Sequence, residues 1–138
     1  SDVPEGRYTE HMKKPVVVAV SGGFDPIHFG HVRMIQEAKK LGDELVVILN
    51  NDNWLRGKKG FVFMPEQERK EILESIVGVD KVILTKHEPN YTDRSVCREL
   101  REIHSDIFAN GGDRHPAGDG RGGKVQSSSD LVAKAAQK

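Results

Sequence analysis

The sequence predicts an α/β protein, a Rossmann-like doubly wound parallel sheet of four to five strands. Three observations carry that prediction. Short apolar runs rich in β-branched residues recur along the chain, beginning with Val16 to Val20 and Leu45 to Leu49. They are too short for helices and apolar throughout, as strands covered on both faces are. Stretches with helical spacing of apolar residues separate them. The first run leads directly into a turn rich in glycine and histidine, Gly22-Gly23-Phe24-Asp25-Pro26-Ile27-His28-Phe29-Gly30-His31. Such strand-to-helix turns lie at the carboxyl edge of an open parallel sheet, where ligands bind.

Pro15 to Val20 forms the first strand. The helix after the turn sets Met34, Ile35, Ala38 and Leu41 on one stripe, with His31 at its N-terminal end. Gly42 stands at the usual C-cap position. Leu45 to Leu49 is the second strand, and two strands joined by a helix read as a right-handed βαβ unit. Asn50 to Met64 reads as a loop carrying Arg56, Lys58 and Lys59. Pro65 opens a second helix with Glu66 and Glu68 in its first turn, as the helix dipole prefers. Its inward stripe is Ile72, Leu73 and Ile76, with Val77 beside it. Arg69 falls on that stripe, where a charge is costly unless it is paired or reaches a ligand.

Asp80 to Thr85 is the third strand. Asn90 or Thr92 caps a third helix with Val96, Leu100 and Ile103 inward and Cys97 as core filler. Asp106 to Asn110 is the fourth strand, for a parallel order 3-2-1-4 with room for a fifth. Residues 111 to 126, with six glycines and one proline, read as loop. Ser127-Ser128-Ser129 then starts a last helix, hydroxyls being ordinary caps, with Leu131, Val132, Ala135 and Ala136 inward.

Composition narrows the function. The 138 residues are 36% hydrophobic and 30% charged, suited to one globular domain with a core. Twenty-one basic residues balance twenty-one acidic ones, which argues against nucleic acid as a partner, since binding a phosphate backbone takes a basic surplus. No apolar run approaches the ~20 residues that span a bilayer. The one cysteine, Cys97, leaves no intrachain disulfide and fits a reducing, cytoplasmic setting. Residues 1 to 11 lack periodicity, and His11-Met12 looks like a cloning junction, so Met12 is the expected native start and 12–138 the domain.

Chemistry concentrates at the first turn. Both imidazoles can face one spot at a helix N-terminus, where backbone N–H groups and the dipole favour anions. Gly30, without a Cβ, lets a phosphate approach closely. The pattern Gly-x-Phe-Asp-x-x-His-x-Gly-His, met by Gly22, Phe24, Asp25, His28, Gly30 and His31, resembles the His-x-Gly-His motif of nucleotidyltransferases. In this longer form it is similar to the cytidylyltransferase-like branch, which includes glycerol-3-phosphate, choline-phosphate and ethanolamine-phosphate cytidylyltransferases and the adenylyltransferase that makes ADP-heptose.

The resemblance covers residues 15 to 138 and implies the nucleotidyltransferase fold. It implies transfer of a nucleotidyl group to a small phosphorylated alcohol with release of pyrophosphate, CMP from CTP to glycerol 3-phosphate being preferred. The alternatives are an adenylyltransferase using ATP with a sugar 1-phosphate or FMN, and, in another class, a nucleotide-binding module without turnover. His28 and His31 match the transition-state histidines, and Lys59 and Arg69 the phosphate-holding cations. Gly23, Phe24, Gly30, Gly112, Asp113, Ser127, Ser128 and Ser129 fall at nucleotide-binding positions, Asp25 and Asp52 at acceptor-binding ones. The resemblance implies Mg2+ held by the phosphates rather than by protein ligands, and homodimerisation through the motif-bearing edge. The chain departs from the family in one place. Between Asp113 and Ser127 the family carries a helix, a fifth strand and an Arg-x-x-Gly turn, and here that stretch holds no apolar run.

Overall fold

The computed structural model describes residues 14–110 and the strand at 113–116. Residues 1–11, Gly112, and Ser127, Ser128 and Ser129 lie outside the described residues. In chain order the elements are β1 (Val17–Gly22), α1 (Phe29–Lys39), β2 (Glu44–Leu49), α2 (Asp52–Lys59), α3 (Glu66–Glu74), β3 (Lys81–Leu84), α4 (Cys97–Ile103), β4 (Ile107–Asn110) and β5 (Asp113–Pro116).

The sheet order is β3-β2-β1-β4-β5. The first four strands are parallel, with Val18 opposite Leu45 and Ile107, and Val47 opposite Val82. The expected 3-2-1-4 core is thus present. β5 adds an antiparallel edge, Asn110 pairing with Asp113, inside the stretch read as loop. The two residues between them spell Gly-Gly, a sequence suited to a tight hairpin.

Alternation along the strands sends side chains to two faces. Val18, Val20, Leu45, Val47 and Leu49 pack with Met34, Ile35 and Ala38 of α1 and Leu73 of α3. On the other face Ala19, Ile48 and Phe108 pack with Val96 and Leu100 beside and on α4. Helices on both sides leave the strand ends as the accessible edges. Among the described residues no helix is long and apolar enough to cross a membrane.

The amino-terminal edge is closed by three aspartates. Asp43 accepts the Val16 N–H at 2.7 Å, Asp80 that of Leu45 at 2.8 Å, and Asp106 that of Val17 at 2.8 Å. Each satisfies a backbone donor at or beside the start of β1 or β2, in the way a cap satisfies a helix. Asp80 also meets Lys39 at 2.7 Å.

Several local expectations change. Asn50 to Met64 is not all loop, because α2 occupies its middle: Asn51 accepts the Trp54 N–H, and Gly60 ends the helix at φ 86°. Gly42 is not a left-handed cap. α1 closes at Lys40 in right-handed geometry, and Gly42 is needed for close approach, since a Cβ there would lie 2.8 Å from the Val16 carbonyl oxygen and 2.7 Å from Val18. Neither Asn90 nor Thr92 caps the helix before β4, which starts after Val96 without a side-chain cap. Val77 is 82% exposed, because α3 ends at Glu74 and the helical stripe stops with it.

Candidate active site

β1 delivers the chain to the carboxyl edge at Gly22. Phe24 then turns it through a left-handed conformation, φ 50°, unfavourable for a side-chain-bearing residue. Burial of its ring, 1% exposed, and an edge contact to His31 at 4.9 Å between centroids hold it there.

His28 is the N-cap of α1. Its Nδ1 accepts the Gly30 N–H at 3.1 Å, and its own N–H donates to Nδ1 of His31 at 3.1 Å. This is a capping box in which both polar side chains are imidazoles. A ring nitrogen that accepts cannot carry the proton, so each neutral ring is protonated on Nε2. The cap therefore fixes the tautomer. The rings lie 3.9 Å apart, tilted by 32°. Burial first, and then the charge on His28, push the His31 pKa down from 6.5 to about 4, so His31 is a neutral hydrogen-bond donor at pH 7. The expectation that open backbone N–H groups meet the anion changes accordingly. The N–H groups of His28 and Gly30 are taken by the rings, and Nε2–H is the donor each histidine has left.

The pair opens on a cleft of about 410 Å3 whose lining includes Gly23, Phe24, Asp25, Trp54, Lys58 and Lys59. The lysines come from the last turn of α2. Lys59 Nζ sits 2.9 Å from Asp25 Oδ2 and 2.8 Å from the Asp25 carbonyl oxygen. Lys58 Nζ stands 4.9 Å from the Trp54 ring centroid.

Asp25, Asp52 and Arg69 are turned inward. The Asp25 side chain is 1% exposed and accepts the N–H groups of Phe63 and Met64 at 2.7 and 2.5 Å. Burial works to raise its pKa, but the Phe63 N–H, Lys59 and the Met64 N–H outweigh it and hold the carboxyl below the usual range. Arg69 is fully buried. It donates to the carbonyls of Met64 at 2.7 Å, Gly23 at 2.8 Å and Asn50 at 2.7 Å, and to Asp52 Oδ1 at 2.6 Å. Such a guanidinium ties β1, β2 and two helices together, and its charge is paired as burial requires. Asp113 opens β5.

Of the predicted residues, the structure brings Gly23, Phe24, Asp25, His28, His31 and Lys59 to one cleft, and Gly30 gives its N–H to the His28 cap beside it. Arg69 and Asp52 stand behind the wall. Sequence reasoning missed Trp54, and named Lys58 only as loop charge, because α2 was not recognised. Asn51 and Gly60 at its two ends were the available signals.

A family profile described as cytidylyltransferase-like matches residues 19–121. The FAD synthase of Ferroglobus placidus is 39% identical over 104 residues, 75% of this chain and 62% of that protein. The bifunctional protein HldE of Koribacter versatilis is 32% identical over 113 residues, 80% of this chain and 22% of that protein. The chain thus spans less than two thirds of either relative. Among solved structures, the lipopolysaccharide core biosynthesis protein from Thermoplasma volcanium superposes with a TM-score of 0.61 at 31% identity, covering 70% of this chain and 75% of that one.

Proposed function

The chain belongs to the cytidylyltransferase-like family, and from that premise we propose that it transfers an AMP group from ATP to a phosphorylated acceptor, FMN foremost. The observation that carries this reading is the capped histidine pair at a cleft flanked by two lysines. Nucleotidyl transfer asks the protein to position reactants and to stabilise charge on the phosphates rather than to bond covalently. An oxygen of the acceptor phosphate attacks the α-phosphorus. The bond from that phosphorus to the oxygen bridging to the β-phosphate breaks, and pyrophosphate leaves with the electron pair. Nε2–H of His28 and His31 donate to the non-bridging oxygens, where charge grows. Lys58 and Lys59 attract the pyrophosphate. Asp25, Asp52 and Arg69 hold the walls.

ATP displaces the CTP preferred on sequence grounds because FAD synthases are prominent among the relatives, and FAD is FMN carrying an AMP group. Likeness to HldE keeps a sugar phosphate as second acceptor. Among the described residues no group of three His, Cys, Asp or Glu side chains could hold a metal ion, and the carboxylates of Asp25 and Asp52 face cations of the protein. We assign Mg2+ to the triphosphate oxygens, since this hard cation is usually held by substrate phosphates and its own waters.

The test is pyrophosphate release from ATP and CTP with Mg2+, against FMN, a sugar 1-phosphate and glycerol 3-phosphate. Turnover with ATP and FMN is expected. CTP with glycerol 3-phosphate as the productive pair would restore CMP transfer. Nucleotide binding without turnover on any acceptor would overturn the enzymatic reading.

A further inference from the structure

We propose that Trp54 selects the acceptor, offering its indole face to a planar heteroaromatic ring carried by the phosphate ester; this deepens the adenylyl-transfer reading and rests on it. Trp54 lines the same cleft as the two histidines, so a ligand whose phosphate meets Nε2–H has its organic part within reach of the indole. The ring is held from behind. Its Nε1–H donates to the Arg94 carbonyl at 3.1 Å, and its own carbonyl accepts the Tyr91 hydroxyl at 2.8 Å. Asn51 and Asn53 of the same helix start both donate to the His87 carbonyl at 2.9 Å. One turn on, Gly57 lies so close to Tyr91 that a Cβ would come within 2.5 Å of its ring. The segment after β3 therefore sets where the indole stands.

An indole whose one polar atom is already bonded to protein has only its π-face and hydrocarbon edge to present. Such a wall offers no hydrogen-bond partner to the hydroxyls of a sugar or glycerol phosphate. It suits a flat, electron-poor ring such as isoalloxazine. The Lys58 ammonium over the indole at 4.9 Å marks that face as the electron-rich surface a cation seeks. Lys58 is exposed and free to swing to a phosphate when a ring replaces it.

The chain has one tryptophan, so the test is clean. Trp54→Leu is expected to raise KM for FMN about tenfold or more, the scale of losing one base-sized stacking partner, with much less change in KM for ATP. Trp54→Phe restores FMN affinity. Separately, FMN titrated into the wild-type chain loses its flavin emission saturably, and loses it far less with Trp54→Leu. An unchanged KM for FMN in Trp54→Leu, or equal rises for FMN and ATP, overturns the proposal while leaving adenylyl transfer standing. Saturable flavin quenching by the wild type without turnover sinks adenylyl transfer and supports the ring site. Turnover with a sugar phosphate and no flavin quenching by the wild type overturns the role of Trp54, whether or not the Leu variant folds.

Discussion

Arg69 Nη2 meets Asp52 Oδ1 at 2.6 Å, and this contact joins the first turn of α2 to α3 beneath the cleft. The same guanidinium holds the carbonyls of Gly23, Asn50 and Met64, so one side chain fixes where both sheet strands end and where the lysine-bearing helix begins.

Replacing Arg69 by Met leaves Asp52 and those carbonyls without their partner. A loss of about 3–5 kcal/mol in urea unfolding is expected, the cost of breaking a buried pair. Lysine cannot reproduce the fork, so Arg69→Lys should recover little of it. A loss under ~1 kcal/mol, within the range of an exposed pair, would show that the guanidinium does not hold the site together.

The two jobs of His28 can be separated. Asparagine is a strong N-cap, and in His28→Asn its Oδ1 can accept the Gly30 N–H while Nε2–H disappears. The melting temperature should stay within about 5 °C of wild type, less than ~1 kcal/mol. Pyrophosphate release should fall about 100-fold or more, the scale of losing one transition-state donor. His28→Ala and His31→Ala should lose as much. Full turnover in any of these variants removes His28 or His31 from the chemistry.

Acid stability reports on His31. Its folded pKa is about 4 against an ordinary 6.5, so folding favours the neutral ring. The unfolded chain takes up this proton first. The contribution is whole above pH 6.5 and is lost as pH falls to about 4, in line with proton linkage. In His31→Gln, which keeps a capping-box residue at that position, melting temperature should fall less steeply across this window than in wild type. Parallel curves would contradict the buried neutral imidazole.

Gly42→Ala tests the packing of the α1–β2 turn. The new methyl meets the Val16 carbonyl oxygen, which is backbone and held in place by the N–H groups of Asp43 and Glu44. Overpacking of this kind costs about 1–3 kcal/mol, readable in chemical denaturation. A stabilised variant would mean the turn can relax.

The parallel core was legible because Val18 to Val20 and Leu45 to Leu49 are apolar on both faces, and burial on both faces is what the sheet provides. The histidine turn was legible because its residues are adjacent in the chain. α2 was not. Of its eight residues Leu55 alone is buried, so no apolar stripe betrays it, and its support comes from Asn51 and the segment after β3. The environment of Arg69 was hidden for a different reason: its partners Gly23, Asn50 and Asp52 lie 46, 19 and 17 residues away. Sequence reading sees that a buried charge needs a partner without seeing which one. β5 is four residues, Asp-Arg-His-Pro, with no apolar alternation to show that it pairs.

The imidazoles that face the cleft also close the first turn of α1. Fraying of that turn breaks the bonds to the Nδ1 atoms and removes what fixes each tautomer. Local opening of a helix end has its own small free energy, and here that free energy is also the one governing readiness of the site. Hydrogen exchange at the Gly30 amide then reads the population in which the His28 cap is broken.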